Sequence, residues 1–250
     1  MLAAIRPVLD RLLDDDEQLG SIAGGTAYYP LELILGNGAL TVLYNRYVLA
    51  ATNKRVIAVN TNYKMNKPAS YLFQFDYNEL KKVSKGIFGT SLTLTRKRGK
   101  RRVFTAIKKG LAGEMRDWVL PRIDPDQSID ASTALCDKLC PACLTPLSSK
   151  LETCPQCRAV FKAPVKAALR SLLLPGWGDI YLGHRFLGCC ETFGSLLVWA
   201  YALIMIATGQ AETIAVGVVL LLMFNGMDAL MTLHMAKKGY GLEKNQPLTP

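Results

Sequence analysis

Cysteines at 140, 143, 154 and 157 form two short turns, Cys140-Pro-Ala-Cys143 and Cys154-Pro-Gln-Cys157, with ten residues between them. A CxxC turn can aim two thiolates at one ion while its backbone amides donate to sulfur, and two such turns complete a tetrahedron. The spacing predicts one structural Zn2+ per chain. Four thiolates close the coordination sphere, so no position is left for a catalytic water. Two other chemistries use the same residue type. Disulfides are disfavoured in a reducing compartment, and a thioredoxin-like redox site needs a βαβ context that this stretch lacks. A unit of this size with few apolar side chains cannot fold without its metal. Cys136, four residues ahead of the first ligand, reads as a spare thiol, with a substitute ligand as the alternative.

The second group is a run of charge. Arg96, Lys97, Arg98, Lys100, Arg101 and Arg102 place six cations in seven residues around Gly99. The whole basic excess lies in the same part of the chain: residues 1–123 hold 20 Lys and Arg against 10 Asp and Glu, and residues 124–250 balance at 10 against 10. Three readings compete for the run. It is a solvated turn; or it is drawn to anionic headgroups, worth roughly 1 kcal/mol per basic residue near the surface; or it grips nucleic-acid phosphates. Stacking aromatics are missing from the run, which weakens the third.

The third group is buried in apolar sequence. Glu191 lies in the run Phe186–Thr208, and Asn225 and Asp228 lie in the run Glu212–Ala236. If Gln210 marks the turn between them, Glu191 precedes it by 19 residues and Asp228 follows it by 18. In straight helices both then lie about 28 Å below that turn. One reading is a proton- or cation-responsive cluster of Glu191, Asn225 and Asp228, with His184 and His234 as further candidates, because unpaired intramembrane carboxylates are costly. The reading favoured on sequence is plainer: these groups reach headgroups, water or Arg185 at the membrane boundary.

The elements that must position these groups follow from period and length. Each apolar run exceeds the roughly 20 residues that cross a hydrocarbon core, and neither shows a polar face at helical spacing. Gly209-Gln210-Ala211 allows only a tight hairpin, so both ends emerge on one side. Lys162, Lys166, Arg170, Arg185, Lys237 and Lys238 flank the runs, while the connector has no Lys or Arg. The positive-inside rule therefore puts both termini in the cytoplasm. Residues 1–20 have no signal-peptide core; Leu2, Ile5, Val8, Leu9, Leu12 and Leu13 instead predict a short amphipathic helix that packs on the next domain.

Between these ends, β-branched and aromatic runs at 46–51, 56–60, 71–75, 91–95 and 103–107 predict antiparallel strands, and 108–120 predicts a helix stopped by Pro121. The expected arrangement is a small, partly open β-barrel or sandwich with a C-terminal helix. Residues 124–135 read as a linker. The chain divides as 1–20 N-terminal helix, 21–123 barrel, 124–135 linker, 136–163 metal-binding unit, 164–185 interfacial helix and Gly-rich entry, 186–238 hairpin and 239–250 polar tail.

The segments Tyr47-Val-Leu-Ala-Ala-Thr-Asn-Lys-Arg-Val-Ile-Ala-Val59 and Phe75-Asp-Tyr-Asn-Glu-Leu-Lys-Lys-Val83, with the later helix, resemble bacterial pleckstrin-homology-like domains over about 14–123. That resemblance implies docking at a membrane surface or on a protein, and no catalysis. The two CPxC turns resemble zinc ribbons. Pro175-Gly-Trp-Gly-Asp-Ile-Tyr-Leu-Gly183 and Gly183-His-Arg-Phe-Leu-Gly188 resemble the entry of short bacterial two-span membrane proteins, with Asp179 where an amide is frequent.

Together these features predict a multi-domain, multi-pass protein of the bacterial inner membrane. It would be a non-catalytic adaptor or sensor that binds anionic lipid or a protein partner at the cytoplasmic face. Two histidines, with neither a Walker-type glycine loop nor a nucleophile elbow, leave an enzyme without parts. A membrane-tethered nucleic-acid binder is the alternative. A hairpin subunit of an oligomeric transporter or channel is another, resting on the carboxylates and on Gly194, Gly217 and Gly226.

Overall fold

The computed structural model describes residues 2–30, 32, 42, 44–62, 64–98, 101–124, 126, 138–147 and 151–243. Lys100, Cys136 and most of the 124–135 linker lie outside the described residues.

A curled antiparallel sheet forms the N-terminal part. Its strands are β1 (Leu19–Ala27), β2 (Arg46–Thr52), β3 (Arg55–Thr61), β4 (Pro68–Asp76), β5 (Leu80–Lys85), β6 (Leu92–Arg96) and β7 (Arg102–Thr105), in the spatial order β5-β6-β7-β1-β2-β3-β4. The central strands β2 and β3 are apolar on both faces, and both faces are covered. Alternation sends Tyr47, Leu49, Val56, Ala58, Phe73 and Phe75 into the concave core, which α2 (Leu111–Val119) closes with Ala112, Met115 and Val119. Val48, Ala50, Ile57, Val59 and Leu72 point the other way. They meet Ile5, Val8, Leu9 and Leu12 of α1 (Leu2–Leu12), so the amphipathic helix packs on the sheet.

β1 and β5 were not among the expected strands. β1 is LGSIAGGTA and β5 is LKKVSK, too small or too polar to register as strands by composition. Both are held by pairing: β1 runs the length of β2, and β5 pairs with β6.

The acidic segment after α1 is spent on the β2–β3 turn. Glu17, its side chain fully buried, accepts from Arg55 Nε at 3.0 Å and Nη2 at 2.8 Å and from the Thr52 hydroxyl at 2.6 Å. Lys54 Nζ lies 3.1 Å from Asp14 and 2.6 Å from Asp16. Lys54 and Arg55 are thus internally paired and do not add to a free basic surface.

Two short strands, β8 (Lys138–Leu139) and β9 (Pro146–Leu147), extend the sheet where Lys138 pairs with Phe73 of β4. The metal-binding unit is therefore fused to the sheet edge. Its other flank is held by residues expected in a polar tail: Phe161 bridges to Leu242, and Tyr240 is buried with Leu147, Ala159 and Phe161.

The C-terminal part is helical: α3 (Pro164–Leu173), α4 (Trp177–Leu182), α5 (Arg185–Ala207) and α6 (Ala211–Ala236). α5 and α6 form the hairpin. At 23 and 26 residues they are about 35 and 39 Å long, long and apolar enough to cross a membrane, and only 11% of the apolar window in each is buried inside the chain.

The preceding segment, expected as an interfacial helix and Gly-rich entry, packs along the hairpin. α3 climbs beside α6 until the carbonyl of Leu172 accepts from Asn225 Nδ2 at 3.1 Å. Asn225 lies eleven residues before the end of α6, about 16 Å along its axis. The chain then reverses at Pro175-Gly176, where φ of Gly176 is +86°, and descends through α4 to Gly183, where φ is +104°. α3 and α4 are a short re-entrant hairpin against the two long helices. Close approach requires Gly178: a Cβ there would meet the Ala167 carbonyl, lie 2.5 Å from Ser171 Oγ and 2.6 Å from Thr232 Cγ2.

Candidate functional site

The four cysteines converge. Cys140 Sγ lies 3.7 Å from Cys157 Sγ, Cys143 Sγ lies 3.5 Å from Cys154 Sγ, and all four sulfurs are within 4.8 Å of one another. Sulfurs at 2.3 Å from one tetrahedral zinc are separated by about 3.8 Å, whereas a disulfide needs about 2.05 Å. The set fits a metal ion, with zinc the natural choice for four thiolates.

Each turn repeats the same backbone device. Leu144 N–H donates to the Cys140 carbonyl at 2.8 Å and Arg158 N–H to the Cys154 carbonyl at 2.9 Å. Cys140 N–H and Cys154 N–H in turn donate to the carbonyls of Thr145 and Ala159, each at 2.9 Å. Leu144 and Arg158, directly after the second cysteine of each turn, take positive φ of 63° and 59°. This left-handed step was not anticipated; the only signal for it is that both turns have the same length. Burial pushes the Cys140 thiol up. Burial also opposes ionisation of Cys143, but its hydrogen bonds with Thr145 and with the Cys157 and Cys154 sulfurs outweigh it and hold that thiol at about 6.

The basic run is less uniform than its composition. Arg96 is buried with its guanidinium 4.7 Å from the centre of the Phe75 ring. Arg102 sits over Tyr29 and Phe73 at 5.7 and 5.2 Å and donates to the Tyr29 hydroxyl at 3.1 Å. Lys97 donates to the Asp124 carbonyl at 2.5 Å. Lys97 and Arg98 are half-buried, and Arg101 is exposed. The two ends of the turn are therefore fastened to the sheet by cation–π contacts, and among its described residues Arg101 is the exposed one. At the opposite end of the β5–β6 hairpin, Ile87 and Phe88 form an exposed apolar tip.

This basic turn lies beside the base of the helical hairpin. Tyr29 carries Arg102 on its ring and also Lys238, whose ammonium is 4.2 Å from the ring centre, two residues after α6. Lys238 is buried. Its ammonium pairs with Glu32 and donates to Asn45 Oδ1 at 2.8 Å, while Asn45 Nδ2 donates to Glu32 Oε2 at 2.6 Å. Burial pushes the Lys238 ammonium down to about 8 against the opposing pull of Glu32. His234 Nε2 is 3.5 Å from Glu32, and Leu187 N–H donates to the Tyr44 hydroxyl at 3.0 Å. A cavity of about 600 Å³, lined by Tyr44, Asn60, Tyr71, Leu182, His184 and Phe186, separates the rest of the sheet end from the helices.

Glu191 and Asp228 meet, and they meet Asp179 of α4, which the sequence reading had not included in the cluster. Carboxylate oxygens of all three lie within 4.8 Å of one another. Asp228 Oδ2 accepts the Gly176 N–H at 3.0 Å. Asn225 serves the re-entrant tip, accepting from Trp199 Nε1 at 3.1 Å as well as donating to Leu172. The histidines go elsewhere: the His184 ring packs edge-on against Tyr44, and His234 lies by Glu32 and Tyr29.

No protein-family model and no curated protein matches this chain.

Proposed function

We propose that this chain is a membrane-anchored adaptor or sensor, non-catalytic, held at the cytoplasmic face of a bacterial inner membrane with both termini inside. The sheet domain meets anionic headgroups through the 96–102 turn, and a single structural zinc fixes the ribbon between sheet and hairpin. The observation that carries this reading is the shared Tyr29 ring. It sets the base of the basic turn beside Lys238, at the end of α6 where the inner-leaflet headgroups of a spanning hairpin would lie.

Three further features support it. The apolar windows of α5 and α6 are 11% buried, whereas a core hairpin of a soluble protein would be mostly covered. The exposed Arg101 is presented from a turn anchored at both ends, so less backbone freedom is lost on meeting a headgroup. The curled sheet closed by one C-terminal helix favours the likeness to pleckstrin-homology-like domains, and Ile87 and Phe88 at the far end offer a surface to a protein partner.

The test is the full chain in nanodiscs of neutral or partly anionic lipid, read by hydrogen exchange across 94–104. Anionic lipid should slow exchange there, and high salt should restore it. Equal exchange in both lipids refutes headgroup binding, and slowing by RNA or DNA in neutral discs makes the nucleic-acid reading the better one.

A further inference from the structure

Asp179 is 1% exposed, and one of its two oxygens has no hydrogen-bond donor among the described residues. That oxygen, Oδ1, is the unusual one, because a buried acceptor left unpaired carries its full desolvation cost. The other oxygen is fully accounted for. Thr232 donates to Oδ2 at 2.8 Å, so the Thr232 oxygen accepts from Ser171 at 2.8 Å, and Ser171 Oγ in turn accepts the Gly178 N–H at 3.2 Å. The relay runs from backbone N–H through two hydroxyls into the carboxylate. Its direction suits an anionic Asp179, which can only accept.

Glu191 Oε2 is likewise buried without a donor among the described residues, and Asp228 takes the Gly176 N–H on Oδ2. Three carboxylates therefore face one another, from α4, α5 and α6, with donors holding two of them in accepting roles. Their mutual repulsion is relieved either by a shared proton or by a bound cation. The buried ammonium of Lys238 does not relieve it, being engaged by Glu32 and Asn45.

We infer that Asp179, Glu191 and Asp228 form a site for one hard divalent cation of the Mg2+, Mn2+ or Ca2+ class, bound where the re-entrant hairpin meets the two long helices. The geometry fits that class. Oxygens about one such ion lie at roughly 2.1–2.5 Å from it and so at most about 5 Å apart, and these three groups bring oxygens within 4.8 Å. Oxygen donors also separate this site from the four-cysteine set, which selects a softer ion. Asp228 lies eight residues before the end of α6, about 12 Å along its axis; Glu191 and Asp228 are partly exposed, which leaves an entry path. Bound there, the ion would tie α4 to α5 and α6 and fix the re-entrant tip. The site does not depend on headgroup binding by the 96–102 turn.

The test is Mn2+ binding by the zinc-loaded full chain in detergent micelles, read from loss of the free-ion paramagnetic resonance signal. The expected result is one Mn2+ per chain, displaced by Mg2+ or Ca2+, and weakened at least tenfold in Glu191→Gln and in Asp228→Asn. Either variant suffices provided its helical circular dichroism matches the parent chain. Absence of saturable Mn2+ binding up to about 1 mM, the weak end for oxygen-donor sites, would overturn the inference, and so would parental affinity in a folded variant. Neutralisation by protons alone would give the first of these results.

Discussion

Replacing Lys238 with Met should loosen the joint between the sheet domain and the helical hairpin more than any other single side-chain change. The methionine keeps the apolar stem but removes the ammonium, leaving Glu32, 1% exposed, with Asn45 Nδ2 at 2.6 Å and the more distant His234. Breaking one partner of a buried pair costs about 3–5 kcal/mol. At about 1.4 kcal/mol per decade, that shifts the docking equilibrium by roughly two to four orders of magnitude. Glu32→Gln should cost a comparable amount by stranding the ammonium. The double variant should cost clearly less than the sum, because no buried charge is left uncompensated. The assay is thermal unfolding of all four proteins in one detergent, with hydrogen exchange at 44–48 to report undocking. Single variants within about 0.5 kcal/mol of the parent, or an additive double variant, would refute the claim that this pair holds the joint.

Three other outcomes are expected. Burial raises the cost of ionising Glu17, but the Arg55 and Thr52 bonds outweigh it and hold its carboxyl below the usual value of 4.5. The stability it contributes is present above pH 4.5 and is lost as pH falls through the depressed folded value; Glu17→Gln should cost about 3 kcal/mol at neutral pH and flatten acid unfolding measured by tryptophan fluorescence. Gly178→Ala should destabilise the helical part by about 1–3 kcal/mol, since the added carbon overlaps a backbone carbonyl that cannot rotate away; a melting temperature equal to that of the parent would contradict the re-entrant packing. Stripping the metal with a chelator, or Cys154→Ser, should unfold 138–161, expose Tyr240 and release β8 from β4, seen as fast exchange confined to those segments and reversed by added Zn2+.

Local signals were legible and long-range ones were not. The cysteines were readable because a CxxC turn is set by four adjacent residues, and the two long helices because length and hydropathy are properties of one segment. β5, with lysines at 81 and 82, is a strand only because β6 supplies its hydrogen bonds. Charge counting overstated the basic surface. It could not see Arg96 and Arg102 turned onto aromatic rings, nor Arg55 held half-buried against Glu17 from 38 residues away. The re-entrant hairpin was hidden for a related reason: α3 has the composition of an interfacial helix, and its packing on α6 through Ala167 and Ser171, closed over by Gly178 of α4, is set by residues far apart in sequence. Equal spacing from Gln210 did foretell that Glu191 and Asp228 would lie level. Asp179 joined them through the glycine turns at 176 and 183, which reverse the chain.

If the hairpin crosses a membrane with both termini inside, its connector is reachable from outside and the 96–102 turn is not. The most direct measurement is labelling by an impermeant maleimide in intact spheroplasts and after lysis, comparing Gln210→Cys and Arg101→Cys with the parent chain. Gln210→Cys should gain label in intact cells, whereas Arg101→Cys should gain it only after lysis. Labelling of Arg101→Cys from outside, or recovery of the protein in the soluble fraction, would contradict the account.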